Sequence, residues 1–193
     1  MPKTKQFNKE TVLEAAAGIF RQKGYNGTSI DDILNATGLS RSSLYDSFQD
    51  KHTLYLQSLE FYKGINDKKL ETLNEKNLNG LQKLESMFNN VVDHLADHPD
   101  DNGCLLVNAA AEMSKQCYKT SQVICNSKEE VQDILTSWIS DAEQQKVLTL
   151  HKPAKVYGQF FFNTLCGLRV LSQSGASKNE LSNIVKVALD SLN

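Results

Sequence analysis

Apolar residues recur along this chain at three- and four-residue spacing, the period of a buried helix face. Val12, Ala15, Ala16, Ile19 and Phe20 make the first such stripe. Asn8 can cap that helix, and Gly24 stops it just after Lys23. Gly27 then turns the chain before Thr28. Ile30, Ile33 and Leu34 form the inward face of a short second helix. Thr28 and Ser29 precede it, and Asp31 and Asp32 follow each at the third position, a capping-box-like start. Gly38 ends it, because a left-handed residue is cheap there only for glycine. Leu39 plugs the corner, and Ser40 caps a third helix that turns Leu44 and Phe48 inward.

The later pattern is longer. Asp50 can cap a helix from Lys51 to about Asn74, apolar on more than one side through Leu54, Leu56, Leu59, Phe61 and Tyr62. The break NEKNLNG leads to a helix over Leu81–His98. Its inward residues are Leu84, Met87, Phe88, Val91, Val92 and Leu95. A loop at Pro99–Gly103 precedes the small-residue helix CLLVNAAAEM. Thr120–Lys146 reads as a helix with Val123, Val131, Ile134, Leu135, Trp138 and Ile139 inward. Pro153 suits the first turn of the next helix, which runs to about Ser174, is apolar nearly all round and is closed by Gly175. Ser177 caps the last helix, with Leu181, Ile184, Val185, Ala188 and Leu192 at helical spacing. No segment alternates like a strand, so the pattern predicts nine helices.

Helix, glycine turn and helix over Thr28–Phe48 is the helix-turn-helix pattern, whose second helix enters the DNA major groove. The first turn of that helix carries Arg41, Ser42 and Ser43, all polar, followed by Tyr45. Arg41 suits either a guanine edge or a phosphate, and only the first specifies sequence. Short serines allow close approach to base edges. Lys3, Lys5 and Lys9 decorate an N-terminal arm that reads equally as phosphate contacts or as a solubilising tail.

Composition narrows the class. At 193 residues and 40% apolar, the chain can bury a core and exceeds one minimal domain. A net charge of −2 argues against a histone-like polyanion binder. Residues 1–55 carry +1 and the rest −3, so DNA affinity must come from a few placed cations and from dimerisation. The polar start MPKTKQFNKE is no signal peptide, and the apolar stretch Phe160–Leu171 is broken by Asn163, Thr164 and Arg169. The expectation is a cytoplasmic protein without membrane contact.

Cys104, Cys117, Cys125 and Cys166 contain no C-x-x-C pair or zinc-finger spacing, which implies a reduced compartment. His94 and His98, four apart, suit a metal pair, but no H-E-x-x-H, P-loop or nucleophile-elbow pattern accompanies them. They read as the surface end of a helix. No catalytic residue, metal site or cofactor is expected.

The run GYNGTSIDDILNATGLSRSSLYDSFQDKHTLY resembles the DNA-binding domain of the TetR/AcrR family of bacterial one-component repressors. The resemblance covers residues 8–60 without a gap and rests on Thr28, Gly38, the Leu44–Tyr45–Phe48 spacing and Lys51. It implies an all-α fold: an N-terminal three-helix helix-turn-helix DNA-binding domain (1–50) and a C-terminal helical ligand-binding and dimerisation domain (51–193). It places the DNA contacts at Thr28, Ser40, Arg41, Ser42, Ser43, Tyr45 and Lys51, with Tyr45 and Lys51 on phosphates and Thr28 at its helix start. Ser42 stands where many members have glycine, and Asp46 where many have a basic or aromatic residue.

The family resemblance further implies a homodimer built from the last two helices of each chain. It implies a double-stranded operator with inverted-repeat symmetry and an unidentified small-molecule effector in the C-terminal domain. Phe88, Trp138, Phe161, Phe162 and Asn163 are candidate effector contacts, though each also reads as ordinary core. Cys104 opens a helix whose dipole favours thiolate, so it is a candidate electrophile sensor; a buried inert thiol is the alternative.

Overall fold

The computed structural model describes residues 7–98 and 103–192. Lys3, Lys5 and positions 99–102 of the expected loop lie outside the described residues. Among the described residues the chain forms nine helices and no strand. These are α1 (Lys9–Gly27), α2 (Ile30–Thr37), α3 (Arg41–Phe48), α4 (Lys51–Asn74), α5 (Gly80–Asp97), α6 (Leu105–Met113), α7 (Tyr118–Gln144), α8 (Ala154–Gln173) and α9 (Lys178–Asp190). Compactness divides them into two units, Met1–Asn66 with Cys104–Ile124, and Asp67–Gly103 with Cys125–Asn193.

The first unit is built on α1. Its buried face is Val12, Leu13, Ala16, Ala17 and Phe20. Ala15 and Ile19, expected in that stripe, are only half-buried. The face is rotated because Leu13 and Ala17, four apart, turn into the core with Ala16 and Phe20. Phe20 meets Tyr55 of α4 edge-on at 5.0 Å between ring centroids. Gly24 interrupts α1 at φ 72°, and no left-handed residue is needed at Gly27. The turn expected at Gly27 is therefore made at Gly24.

Helix α6 packs into this same unit through Leu105, Ala109 and Met113. Its polar residues face the end of α1. The Asn108 amide donates to the Arg21 carbonyl at 3.2 Å. The Glu112 carboxylate accepts from the backbone amides of Tyr25 and Asn26, each at 2.7 Å. One charged group thus satisfies two amides released by the break at Gly24. Replacing Glu112 with alanine is expected to cost about 1–3 kcal/mol, since each bond removed is charge-assisted but the site is partly wet. A urea denaturation midpoint unchanged in Glu112→Ala would remove this clamp from the stability of the unit.

The second unit has its own core, in which Leu84 and Phe88 of α5, Leu135 and Trp138 of α7, and Phe161 and Leu168 of α8 are almost fully enclosed. Asn79 and Gln82 form a reciprocal capping box at the start of α5. The indole N–H of Trp138 donates to Asn74 Oδ1 at 2.9 Å, and Lys83 Nζ donates to the Asn74 carbonyl at 2.8 Å. The end of α4 is thereby tied to α5 and α7. Pro153 is the residue before α8 rather than in its first turn, and Ser177 caps α9 as its sequence position implies.

Helix α8 has two apolar faces. Tyr157, Phe161, Leu165 and Leu168 turn into the core. Val156, Phe160, Val170 and Leu171 remain exposed, with Val187 of α9 70% exposed. No described helix is long and apolar enough to cross a membrane.

Candidate nucleic-acid interface

Helices α2 and α3 are short, and their ends are closed by their own side chains. Ser29 caps α2 and exchanges bonds with Asp32 in a full capping box. Lys23 also binds the Asp32 carboxylate. Hydrogen bonds from Lys23 and Ser29 hold that carboxyl well below the usual carboxylate range, so it stays ionised. Gly38 ends α2 at φ 69° with its amide on the Leu34 carbonyl. Ile33, Leu44 and Phe48 are fully buried, and Leu39 packs beside them at the turn. The two helices are therefore fixed to each other by a small core and two caps.

That core turns the polar side of α3 outward. Ser40 caps the helix, its Oγ accepting from the Ser43 amide at 3.2 Å. Its hydroxyl also lies 3.0 Å from the Ser42 hydroxyl and 2.9 Å from that of Ser43. Arg41 and Ser42 are exposed, Ser43 is half-buried, and Tyr45 is 41% exposed. Arg41 Nη2 donates to Asp31 Oδ1 at 2.7 Å, an exposed pair that a base edge or phosphate can displace. Asp46 is exposed on the same helix. The result is a row of hydrogen-bonding groups on a rigid two-helix support, with the N-terminus of α3 leading.

Lys51 opens α4. The Asp50 carboxylate caps that helix, accepting from the Thr53 amide at 2.6 Å. Lys51 Nζ sits over the Tyr25 ring, 4.4 Å from its centroid, in a cation–π contact. Partial burial lowers its pKa. Thr28 differs from expectation. It is 1% exposed, and its hydroxyl donates to the Gly24 carbonyl at 2.6 Å. Its side chain locks the α1–α2 junction and is not presented to a phosphate.

The effector candidates divide. Phe88 and Phe161 lie 5.5 Å apart between ring centroids, and Trp138 shares their core; Phe162 packs partly against it. Asn163 is exposed, correcting its place among lining residues. Two residues beyond Phe161, it is carried about 200° around the helix. Cys104 lies in the other unit, at the N-cap position of α6, and is 1% exposed. The His94 and His98 rings are 4.6 Å apart, and no group of three potential metal ligands occurs among the described residues.

A capped helix pair presenting a polar recognition helix defines a helix-turn-helix domain of the DNA-binding class. Residues 12–57 match the family model described as bacterial regulatory proteins, tetR family. The match covers the helix-turn-helix segment and the start of α4, so this N-terminal part of the chain is similar to that family. It is 33% identical over 113 residues to the uncharacterized HTH-type transcriptional regulator YezE of Bacillus subtilis, covering 58% of each chain. It is 26% identical to the HTH-type transcriptional repressor DhaR of Mycobacterium sp., over 55% of this chain and 52% of that one. The chain thus spans somewhat over half the length of these curated relatives. The fold matches that of the TetR family transcriptional regulator CifR, solved with 26-base-pair double-strand operator DNA. The TM-score is 0.88 at 19% identity, covering 99% of this chain and 100% of that one.

Proposed function

We propose that the chain is a dimeric, sequence-specific transcriptional repressor that leaves its operator when a small molecule occupies the C-terminal part. The observation that carries the reading is the division of α3: Leu44 and Phe48 are buried while Arg41, Ser42 and Tyr45 are exposed. A helix fixed by one face and polar on the other is what groove insertion requires. Residues 1–50 form the DNA-binding head in this reading, and 51–193 form the effector and dimerisation part. Ser40, Arg41, Ser42 and Ser43 approach base edges or phosphate. Tyr45 and Lys51 take the flanking phosphates.

The exposed faces of α8 and α9 support dimerisation. The exposed stripe Val156, Phe160, Val170 and Leu171 recurs on one side of α8, with Val187 on α9. Apolar surface of that regularity favours burial against a second copy through a two-fold interface. Two heads would then reach successive major grooves about 34 Å apart on an inverted repeat. An effector entering beside Phe88, Trp138, Phe161 and Phe162 would repack that core and favour a head spacing that no longer matches the grooves. The relatives named in the comparisons are transcriptional regulators, which supports a non-catalytic role. Sedimentation at micromolar concentration tests the assembly. A two-chain species is expected, and a single-chain species would overturn the dimer.

A further inference from the structure

Outside the DNA surface, the first unit holds a pairing of a nucleophile with a base. Cys117 Sγ lies 3.3 Å from His52 Nε2 in a half-buried setting. Cys117 stands just before α7, and its carbonyl already accepts from the Ser121 amide. The Thr120 hydroxyl is fully enclosed and has no hydrogen-bond partner. Burial pushes the Cys117 thiol up, but the neighbouring polar groups of Thr120, side chain and amide, and the Lys119 amide outweigh it and bring it down. The charge of Lys119 acts in the same direction. These features are those of an activated thiol: thiolate-stabilising donors, a neighbouring base and partial access.

The surroundings link this thiol to the DNA surface. His52 follows Lys51 in the first turn of α4. Both pack on Tyr25, whose ring meets His52 edge-on at 5.8 Å and lies under Lys51 Nζ. Asp50, which caps the same turn, and Glu112, which clamps the Tyr25 amide, are the nearby acids.

The geometry points to Cys117, with His52 as its base, as a site of covalent modification by soft electrophiles, at which an adduct releases DNA by displacing the first turn of α4. The inference deepens the proposed effector response and rests on it only for the DNA readout. For an α,β-unsaturated carbonyl the step is a conjugate addition. The thiol proton passes to His52 Nε2, and sulfur bonds to the β-carbon. The electron pair of the carbon–carbon double bond moves through the carbonyl to an enolate. The imidazolium then returns the proton to the α-carbon, and no oxidant is consumed. The adduct occupies the space between sulfur and imidazole, so His52 and the adjoining Lys51 cannot keep their places on Tyr25.

The test uses the full chain with substoichiometric N-ethylmaleimide and peptide mass spectrometry. Cys117 is expected to label at least about tenfold faster than the exposed Cys125. His52→Gln is expected to slow Cys117 by about tenfold while leaving Cys125 unchanged, which also reports that the chain remains folded. Labelling of Cys117 no faster than that of Cys125, or unaffected by His52→Gln, would overturn the site. Labelled protein should lose binding to its selected operator, whereas Cys117→Ser protein treated alike should retain it. Retained binding by protein labelled at Cys117 would overturn the coupling. Failure of the unlabelled chain to select any DNA would instead count against the repressor reading, and the labelling rates would still decide the thiol.

Discussion

Replacing Gly80 with alanine is expected to destabilise the chain by about 3 kcal/mol, the upper end of overpacking costs. Gly80 is the first residue of α5. A Cβ there would lie 1.7 Å from the Trp138 carbonyl oxygen, 2.6 Å from its carbonyl carbon and 3.1 Å from the Ala142 amide nitrogen. The obstacle is helical backbone, which cannot rotate aside as a side chain can. α5 would have to retreat from α7, drawing Leu84 and Phe88 from the core they share with Trp138 and Phe161. At about 2–4 °C per kcal/mol for a chain of this size, the thermal midpoint should fall by roughly 6–12 °C. Gly64 supplies the opposite sign. It lies inside α4 with nothing within 4 Å of an added Cβ. Gly64→Ala should therefore gain about 0.5–1 kcal/mol from helix propensity alone. Equal midpoints for the two variants would contradict the close approach of α5 and α7.

The second large effect is on DNA. Arg41→Ala removes the only cation in α3. A base-reading arginine is worth about 1–3 kcal/mol at each base it reads, and a dimer is deprived of it twice. Operator affinity should fall by about 2–6 kcal/mol, from roughly thirtyfold to roughly twenty-thousandfold. Loss of preference at one base position in each half-site would identify base readout. A uniform loss across sequences would place Arg41 on phosphate instead. Lys51→Ala should weaken binding evenly and reduce the salt slope by about 1 for each phosphate that Lys51 neutralises. Fluorescence anisotropy at several stated salt concentrations separates these behaviours. Undiminished affinity in Arg41→Ala would exclude α3 from the DNA-binding surface.

The features legible in the sequence are local ones. Ser29 and Asp32, Gly38, Ser40 and the Leu44–Phe48 spacing are each decided within four residues, so the helix-turn-helix could be read directly. The period also identifies most of the inward residues of α5 and α9. What escaped depends on partners distant in sequence. α6 reads as a small-residue core helix, yet its two interior polar residues grip α1 across 87 and 86 positions. Asn108 and Glu112, four apart on an otherwise apolar helix, were the available signal. The resemblance places Thr28 at the DNA, whereas its hydroxyl is claimed by the Gly24 carbonyl, which no neighbouring residue signals. Asn163 adjoins Phe161 and Phe162 in sequence, but the helical period sends it outward. The Cys117–His52 pair joins residues 65 apart and has no local signature.

The central claim is that two copies of this recognition helix read a symmetric DNA site. Selection of bound duplexes from a random library by the purified full chain, at stated salt, tests it most directly. An inverted repeat is expected, with half-sites centred about one helical turn, or slightly more, apart. Recovery of no motif, or of an asymmetric single site, by a folded chain would contradict it.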